Sequence, residues 1–199
     1  MSVFSAVPFC LSFVDEYKNG MSPYLYIKSR TPKRYLMAKH IVSVVTGGLT
    51  MAVGTALFLG GLACFLPLIH ENDMLESLAY YPLLRAGNGE GYFICAVYFA
   101  FLSGALYAGV ASVVSACVPN RYITAASPLV FSFLLSQSGI SENSMFLFHL
   151  SRVLSMRMRL GSGSIAMSIL YATAIVFFIV AVLGMVFVWR ARRRIVYDA

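Results

Sequence analysis

The side chains that do covalent, acid–base or metal chemistry in other proteins are sparse in this 199-residue chain, which has three histidines, four cysteines and eight acidic residues. His40, His70 and His149 stand far apart at the ends of segments, where a lone histidine reads as a polar boundary residue rather than a ligand. Metal-assisted hydrolysis by HExxH needs two histidines one helical turn apart, and GxSxG needs a serine on a strand-to-helix turn. The chain has neither, and it has no GxxxxGK[ST] phosphate loop. A GxGxxA string occurs at Gly161, Gly163 and Ala166, but it follows a basic segment and opens an apolar one, without the βαβ setting that gives such glycines a dinucleotide to hold. Cys10, Cys64, Cys95 and Cys117 lie singly in apolar segments with no CxxC pairing, so they read as buried structural thiols and not as a zinc site or disulfide framework. No catalytic, metal or cofactor-binding residue is assigned, and an enzyme is not expected.

One stretch remains chemically suggestive, DEYKNGMSPYLYIKSRTPKRYLMAKH from Asp15 to His40. Asp15 and Glu16 end one apolar segment, Gly20 and Pro23 break the chain, and a basic, tyrosine-rich run leads into the next apolar segment. Tyr24, Tyr26, Ile27, Tyr35 and Leu36 beside Lys28, Arg30, Lys33, Arg34 and Lys39 suit a helix lying along a membrane face. Plain anchoring of a span by basic residues fits the same composition.

The elements that position this stretch follow from solvent preference. Apolar residues make up 59% of the chain and charged ones 12%, with a mean hydropathy of +0.78, whereas soluble domains run at roughly 45–50% and 25%. Four windows approach the roughly 20 apolar residues that cross a bilayer core: Ile41 to Ile69, Ile94 to Val118, Tyr122 to Ile140 and Ile165 to Trp189. None contains Asp, Glu, Lys, Arg or His. The third is the least apolar, because Pro128 interrupts it and Ser132, Ser136 and Ser138 are polar. Met1 to Phe13 covers only about 20 Å as a helix and reads as a partial or tilted span; it lacks the basic start and cleavage site of a removed leader. The expected fold is all-α, a polytopic transmembrane helical bundle with four full spans plus a short N-terminal apolar helix, forming one membrane domain over residues 1–199.

Basic residues near span ends stay on the cytoplasmic side. The loop over residues 14–40 holds Lys18, Lys28, Arg30, Lys33, Arg34 and Lys39, and the tail holds Arg190, Arg192, Arg193 and Arg194, so both are placed inside, with an even number of spans between them. The loop from His70 to Phe93, with Glu71, Asp73, Glu76 and Glu90 against Arg85, is placed outside. So is the segment 141–164, despite Arg152, Arg157 and Arg159; it is expected to be either an outer amphipathic or re-entrant helix or a simple loop. The net charge of +7 then belongs at the inner leaflet and argues against a nucleic-acid partner. Two spans carry small residues at every fourth position, Gly48, Ala52, Ala56 and Gly60, then Ala100, Gly104, Ala108, Ser112 and Ala116. Such stripes let helix backbones approach closely. Packing within the chain is the simpler expectation, and a subunit interface is the alternative.

The order of an apolar segment ending SF, then DEY, then NG, then SRTPKRYLMAK running into a long span resembles the permease subunits of bacterial type-2 ABC exporters, which work with a separate ATPase. The later order of spans, outer loops and the short inner turn at Pro119 to Arg121 fits the same family, so the resemblance covers most of the chain. It implies that the loop is a coupling element docking on a cytoplasmic ABC ATPase subunit, through Glu16, Gly20, Arg30, Arg34, Tyr35 and Lys39. It implies further that ATP is bound by that partner and not by this chain, and that the chain pairs with a second permease copy or a related permease in the cytoplasmic membrane. Family members usually have six spans, one of them before the helix that leads to the loop. The resemblance therefore implies either a shortened permease or a start upstream of Met1. A peptide or lipid-like substrate is the expectation, and the rival is a non-transporting membrane protein such as a scaffold, a sensor or a permease remnant.

Overall fold

A computed structural model describes residues 7–21, 28, 32–65, 80, 83, 89–137, 150, 152–156 and 164–197. Within them lie five long helices and no strand: α1 (Val7–Lys18), α2 (Pro32–Phe65), α3 (Gly89–Cys117), α4 (Arg121–Gln137) and α5 (Ile165–Tyr197). Three are long and apolar enough to cross a bilayer, over Lys33–Phe65, Gly89–Cys117 and Ile165–Arg194. At 1.5 Å per residue α2 is about 51 Å long, well beyond a hydrocarbon core of about 30 Å, so its basic first turns stand clear of the apolar run. The expected helix lying along the membrane face is not what Lys33 to Lys39 form. These residues are the beginning of the spanning helix itself, because Lys, Arg and Leu are good helix formers and Pro32, as first residue, loses no bond by lacking an N–H.

α3 is the central helix: 39% of its apolar window is buried in the bundle, against 22% and 17% for those of α2 and α5. Its contact with α2 is the most extensive in the fold. There the backbones touch where neither helix has a side chain: a Cβ on Gly104 would lie 2.6 Å from the Gly47 carbonyl oxygen, and one on Gly48 would lie 2.8 Å from the Phe101 ring. Ala108, Ser112 and Ala116 continue this buried line. The stripe on α2 divides, since Gly48 is buried, Ala52 is half-buried, and Ala56 and Gly60 are exposed with open space around Gly60. The two helices splay there, since Ala56, Gly60 and Ala63 line an open apolar groove whose other wall is Phe93, Ile94 and Val97 of α3, so the lower stripe faces α3 without touching it.

α3 ends at Cys117 because Pro119 cannot continue it, and Asn120 starts α4 by accepting a hydrogen bond from the Tyr122 N–H at 3.0 Å. α4 runs unbroken through Pro128. The proline leaves the Thr124 carbonyl without its helical donor, and the Ser127 hydroxyl supplies one at 2.8 Å. Ser132 likewise turns its hydroxyl onto the Leu129 carbonyl at 2.9 Å, so these serines do not offer unmet polarity to lipid. α4 has 17 residues, about 25 Å of helix. In the segment expected outside, Leu150, Val153 and Met156 are buried, and with Tyr80 they pack against Phe99, Leu102, Leu106, Ala172 and Val176 of α3 and α5. Three cysteines differ from expectation, Cys64 and Cys117 being exposed and Cys95 half-buried, while the Cys10 side chain lies outside the described ones. Lipid is as apolar as a helix interface, so a thiol in a span has no need of the interior.

Candidate functional site at the basic end of the bundle

α2 and α4 start, and α1, α3 and α5 finish, at one end of the bundle, which gathers the residues singled out in the sequence. α1 is 12 residues long, about 18 Å. It buries Phe13 and Val14 against the bundle, with Phe13 packed edge-on to Phe187 of α5 at 5.3 Å between ring centres. Leu36 of α2, with 0% exposure, and Ala191 of α5 complete the cluster. The acidic pair that follows is divided between two partners. Asp15 meets Arg121 at the start of α4, 2.6 Å away. Glu16 accepts the Tyr35 hydroxyl at 2.8 Å and pairs with the Lys39 ammonium.

The two pairs differ in weight. Lys39 and Glu16 side chains are 15% and 27% exposed, while Arg121 and Asp15 are 55% and 41% exposed. Water screens the second pair to the 0–1 kcal/mol typical of about any surface ion pair. The first is half-desolvated and shares a hydroxyl donor, so breaking it leaves a carboxylate under-satisfied. Lys39 also lies 5.6 Å above the Phe13 ring. Gly20 has φ of +68°, following hydrogen bonds from Asn19 N to Asp15 O and from Gly20 N to Tyr17 O at 3.0 and 3.2 Å. It is the left-handed terminator of α1, a position that favours glycine. At the other end of the chain, the Arg194 guanidinium caps α3 by donating to the Cys117 carbonyl at 2.7 Å and the Ala116 carbonyl at 3.3 Å, and it stands 5.3 Å from the Tyr17 ring.

Glu16, Tyr35 and Lys39 are thus brought into one contact, Gly20 closes the helix that carries Glu16, and Arg34 is exposed apart from them. Arg30 lies outside the described residues, as do His70, His149, Gly161 and Gly163. His40 differs from its reading as a boundary residue. It is 4% exposed, wedged among α2, α3 and α5. Its Nε2 faces the Val180 carbonyl at 3.3 Å and its Nδ1 lies 2.8 Å from Ser112 Oγ. Its ring stacks on Phe187 at 5.6 Å. A carbonyl only accepts, so Nε2 donates to Val180, while the single proton of Ser112 Oγ is shared between Nδ1 and the Gly109 carbonyl 2.7 Å away. Gly184 makes the room, since a Cβ there would sit 2.9 Å from the imidazole. The signal was present in the sequence once the helix is begun at Pro32: His40, Val44, Gly47 and Met51 then share the face turned to α3.

Among the described residues, no three His, Cys, Asp or Glu side chains converge as metal ligands would. The site can hold helices together and present cations, and where a hydroxyl meets an imidazole, Ser112 against His40, both are buried in the bundle. No protein-family model, no curated protein and no solved structure matches the chain.

Proposed function

We propose that the chain is the permease subunit of an ATP-driven ABC exporter, set in the cytoplasmic membrane with its basic end and C-terminus facing the cytoplasm and working with a separate ATPase and a second permease copy. α4 is in this reading the fourth span. The observation that carries the proposal is the anchoring of Glu16 to Tyr35 and Lys39. It ties both ends of the segment between α1 and α2 to a spanning helix, so a push on that segment reaches α2 without slack. Arg34, exposed one residue before Tyr35, is the docking cation. Glu16, Tyr35 and Lys39 transmit the push, and ATP stays with the partner.

The test is affinity purification of the full chain in mild detergent with its bound proteins. A co-purifying protein with a Walker motif, whose ATP hydrolysis is released from control by Arg34→Glu while the helical circular dichroism is unchanged, supports the proposal. Absence of any such partner, or coupled hydrolysis unaltered by both Arg34→Glu and Glu16→Lys, refutes it in favour of a non-transporting membrane protein.

A further inference from the structure

We propose that Trp189, Arg190 and Arg193 of α5 bind the headgroup of an anionic phospholipid whose acyl chain lies along the apolar face of the same helix. Arg193 stands 4.3 Å and Arg190 5.1 Å from the centre of the Trp189 ring, within reach of cation–π attraction. The indole holds both guanidinium groups at one level of the helix. The acidic residues described at this end are already engaged, Asp15 by Arg121 and Glu16 by Lys39, and Arg194 is spent on the end of α3. Arg190 and Arg193 are exposed and face no carboxylate among the described residues.

The partner is a lipid because of what lies below these cations. Phe178, Val182, Met185, Trp189 and Arg193 are spaced by three or four residues and are all exposed, so they form one stripe down α5 on the side away from the buried Phe187 and Ala191. An apolar groove of about 540 Å³ lined by Tyr171, Ile175, Phe178, Ile179 and Val182 opens on this side. One leaflet is about 15 Å deep, or about ten residues of helix. A headgroup at Arg190 and Arg193 therefore sends its chain to residues 180–183, the near end of the groove. An anion that meets these arginines must come attached to an apolar tail, whereas an acidic protein surface would have to displace lipid from the stripe. Tryptophan and arginine at a membrane interface are suited to this, the ring at headgroup depth and the charge just above it.

The chain has a single tryptophan, so the site reports on itself. Purified full-length protein is reconstituted in phosphatidylcholine vesicles containing either brominated phosphatidylglycerol or brominated phosphatidylcholine at equal mole fraction. Bromine quenches an indole only on contact. Each basic group near an anionic surface adds roughly fivefold to association, so phosphatidylglycerol is expected to quench Trp189 at least severalfold more effectively, with the excess falling as salt rises. Arg190→Gln with Arg193→Gln removes the excess, and Lys33→Gln with Arg34→Gln keeps it. Equal quenching by the two lipids overturns the proposal, and needs no variant to be seen. A preference surviving in the arginine variant overturns it, as does one lost equally in the α2 variant, which would mark diffuse surface charge. Loss of a co-purifying acidic protein from the arginine variant with lipid preference intact also overturns it, in favour of a protein site.

Discussion

Replacing Gly104 by alanine tests the central contact of the bundle. The added methyl carbon would lie 2.6 Å from the Gly47 carbonyl oxygen and 2.7 and 2.8 Å from Met51 side-chain atoms. Met51 can turn aside, but the carbonyl belongs to the backbone of α2. Reaching an ordinary 3.4 Å contact means parting the two helices by 3.4 − 2.6 = 0.8 Å at that level. Parting them also lengthens the His40–Ser112 hydrogen bond two turns along the interface, at 2.8 Å in the native bundle. Overpacking of this kind costs about 1–3 kcal/mol, and the better helix propensity of alanine returns at most about 1 kcal/mol. The expected net loss is about 0–2 kcal/mol, and about 1–3 kcal/mol relative to a glycine-to-alanine change that gains propensity alone. Gly60→Ala is the internal control: nothing lies within 4 Å of its added carbon, so propensity alone acts and the variant is neutral or gains up to about 1 kcal/mol. Both are read by unfolding in mixed micelles with increasing dodecyl sulfate, followed by circular dichroism. A Gly104→Ala protein within about 0.5 kcal/mol of a Gly60→Ala protein that is no less stable than the parent, a difference expected of surface sites, refutes the assigned crossing. Gly60→Ala as costly as Gly104→Ala would show instead that the lower face of α2 is covered.

Three further outcomes follow from particular contacts. Ser127→Ala should cost about 1–3 kcal/mol by stranding the Thr124 carbonyl in a buried site, and the cost should shrink when Pro128→Ala restores an N–H for it; additive losses in the double variant refute the compensation. Gly184→Ala should destabilise by about 1–3 kcal/mol through the His40 ring, and His40→Ala should absorb most of that loss in a double-mutant cycle, because the methyl then enters the space the imidazole leaves; zero coupling refutes the wedge. Glu16→Ala should raise amide exchange across Phe13 to Tyr17, measured by mass spectrometry, corresponding to about 1–3 kcal/mol of lost anchoring. Asp15→Ala should change exchange by less than about 1 kcal/mol, and a larger effect at Asp15 than at Glu16 would reverse their assigned weights.

The apolar runs were legible because a bilayer asks for little beyond length and hydropathy, and three of the four windows lie in long helices of that kind. Where helices begin was less legible. Hydropathy drops at Lys39, so α2 seemed to start at Ile41, yet a helix continues through basic residues at no cost and takes His40 with it into the bundle. The same cause hid Glu16 inside α1 instead of in a loop. Contacts between helices were legible only in part: small residues on α3 mark its buried line well, but on α2 an identical spacing faces only an open groove below Ala52, where the helices splay. The Ser127 bond to Thr124 depends on which carbonyl a proline orphans, and this could have been read from Pro128 by counting back four residues. That Glu16 meets Tyr35 and Lys39, and Asp15 meets Arg121, follows from tertiary placement that no local pattern records.

The internal use of the acids has a consequence for any partner at this end. With Asp15 and Glu16 neutralised by Arg121 and Lys39, the exposed charges left on the described helices here, Lys18, Lys33, Arg34, Arg190, Arg192 and Arg193, are all positive. The proposed ATPase and the proposed lipid would both be drawn to it, and the two proposals assign them to different helices. Arg190 and Arg193 head a stripe of exposed apolar side chains on α5, the proposed lipid face, whereas Arg34 lies on α2 next to Tyr35. Charge reversal at Arg34 should therefore loosen a protein partner and leave Trp189 quenching by phosphatidylglycerol intact, while neutralising Arg190 and Arg193 should do the opposite. If either pair of variants moved both readouts together, the basic end would act as one undivided field, and neither face would have the separate role assigned to it.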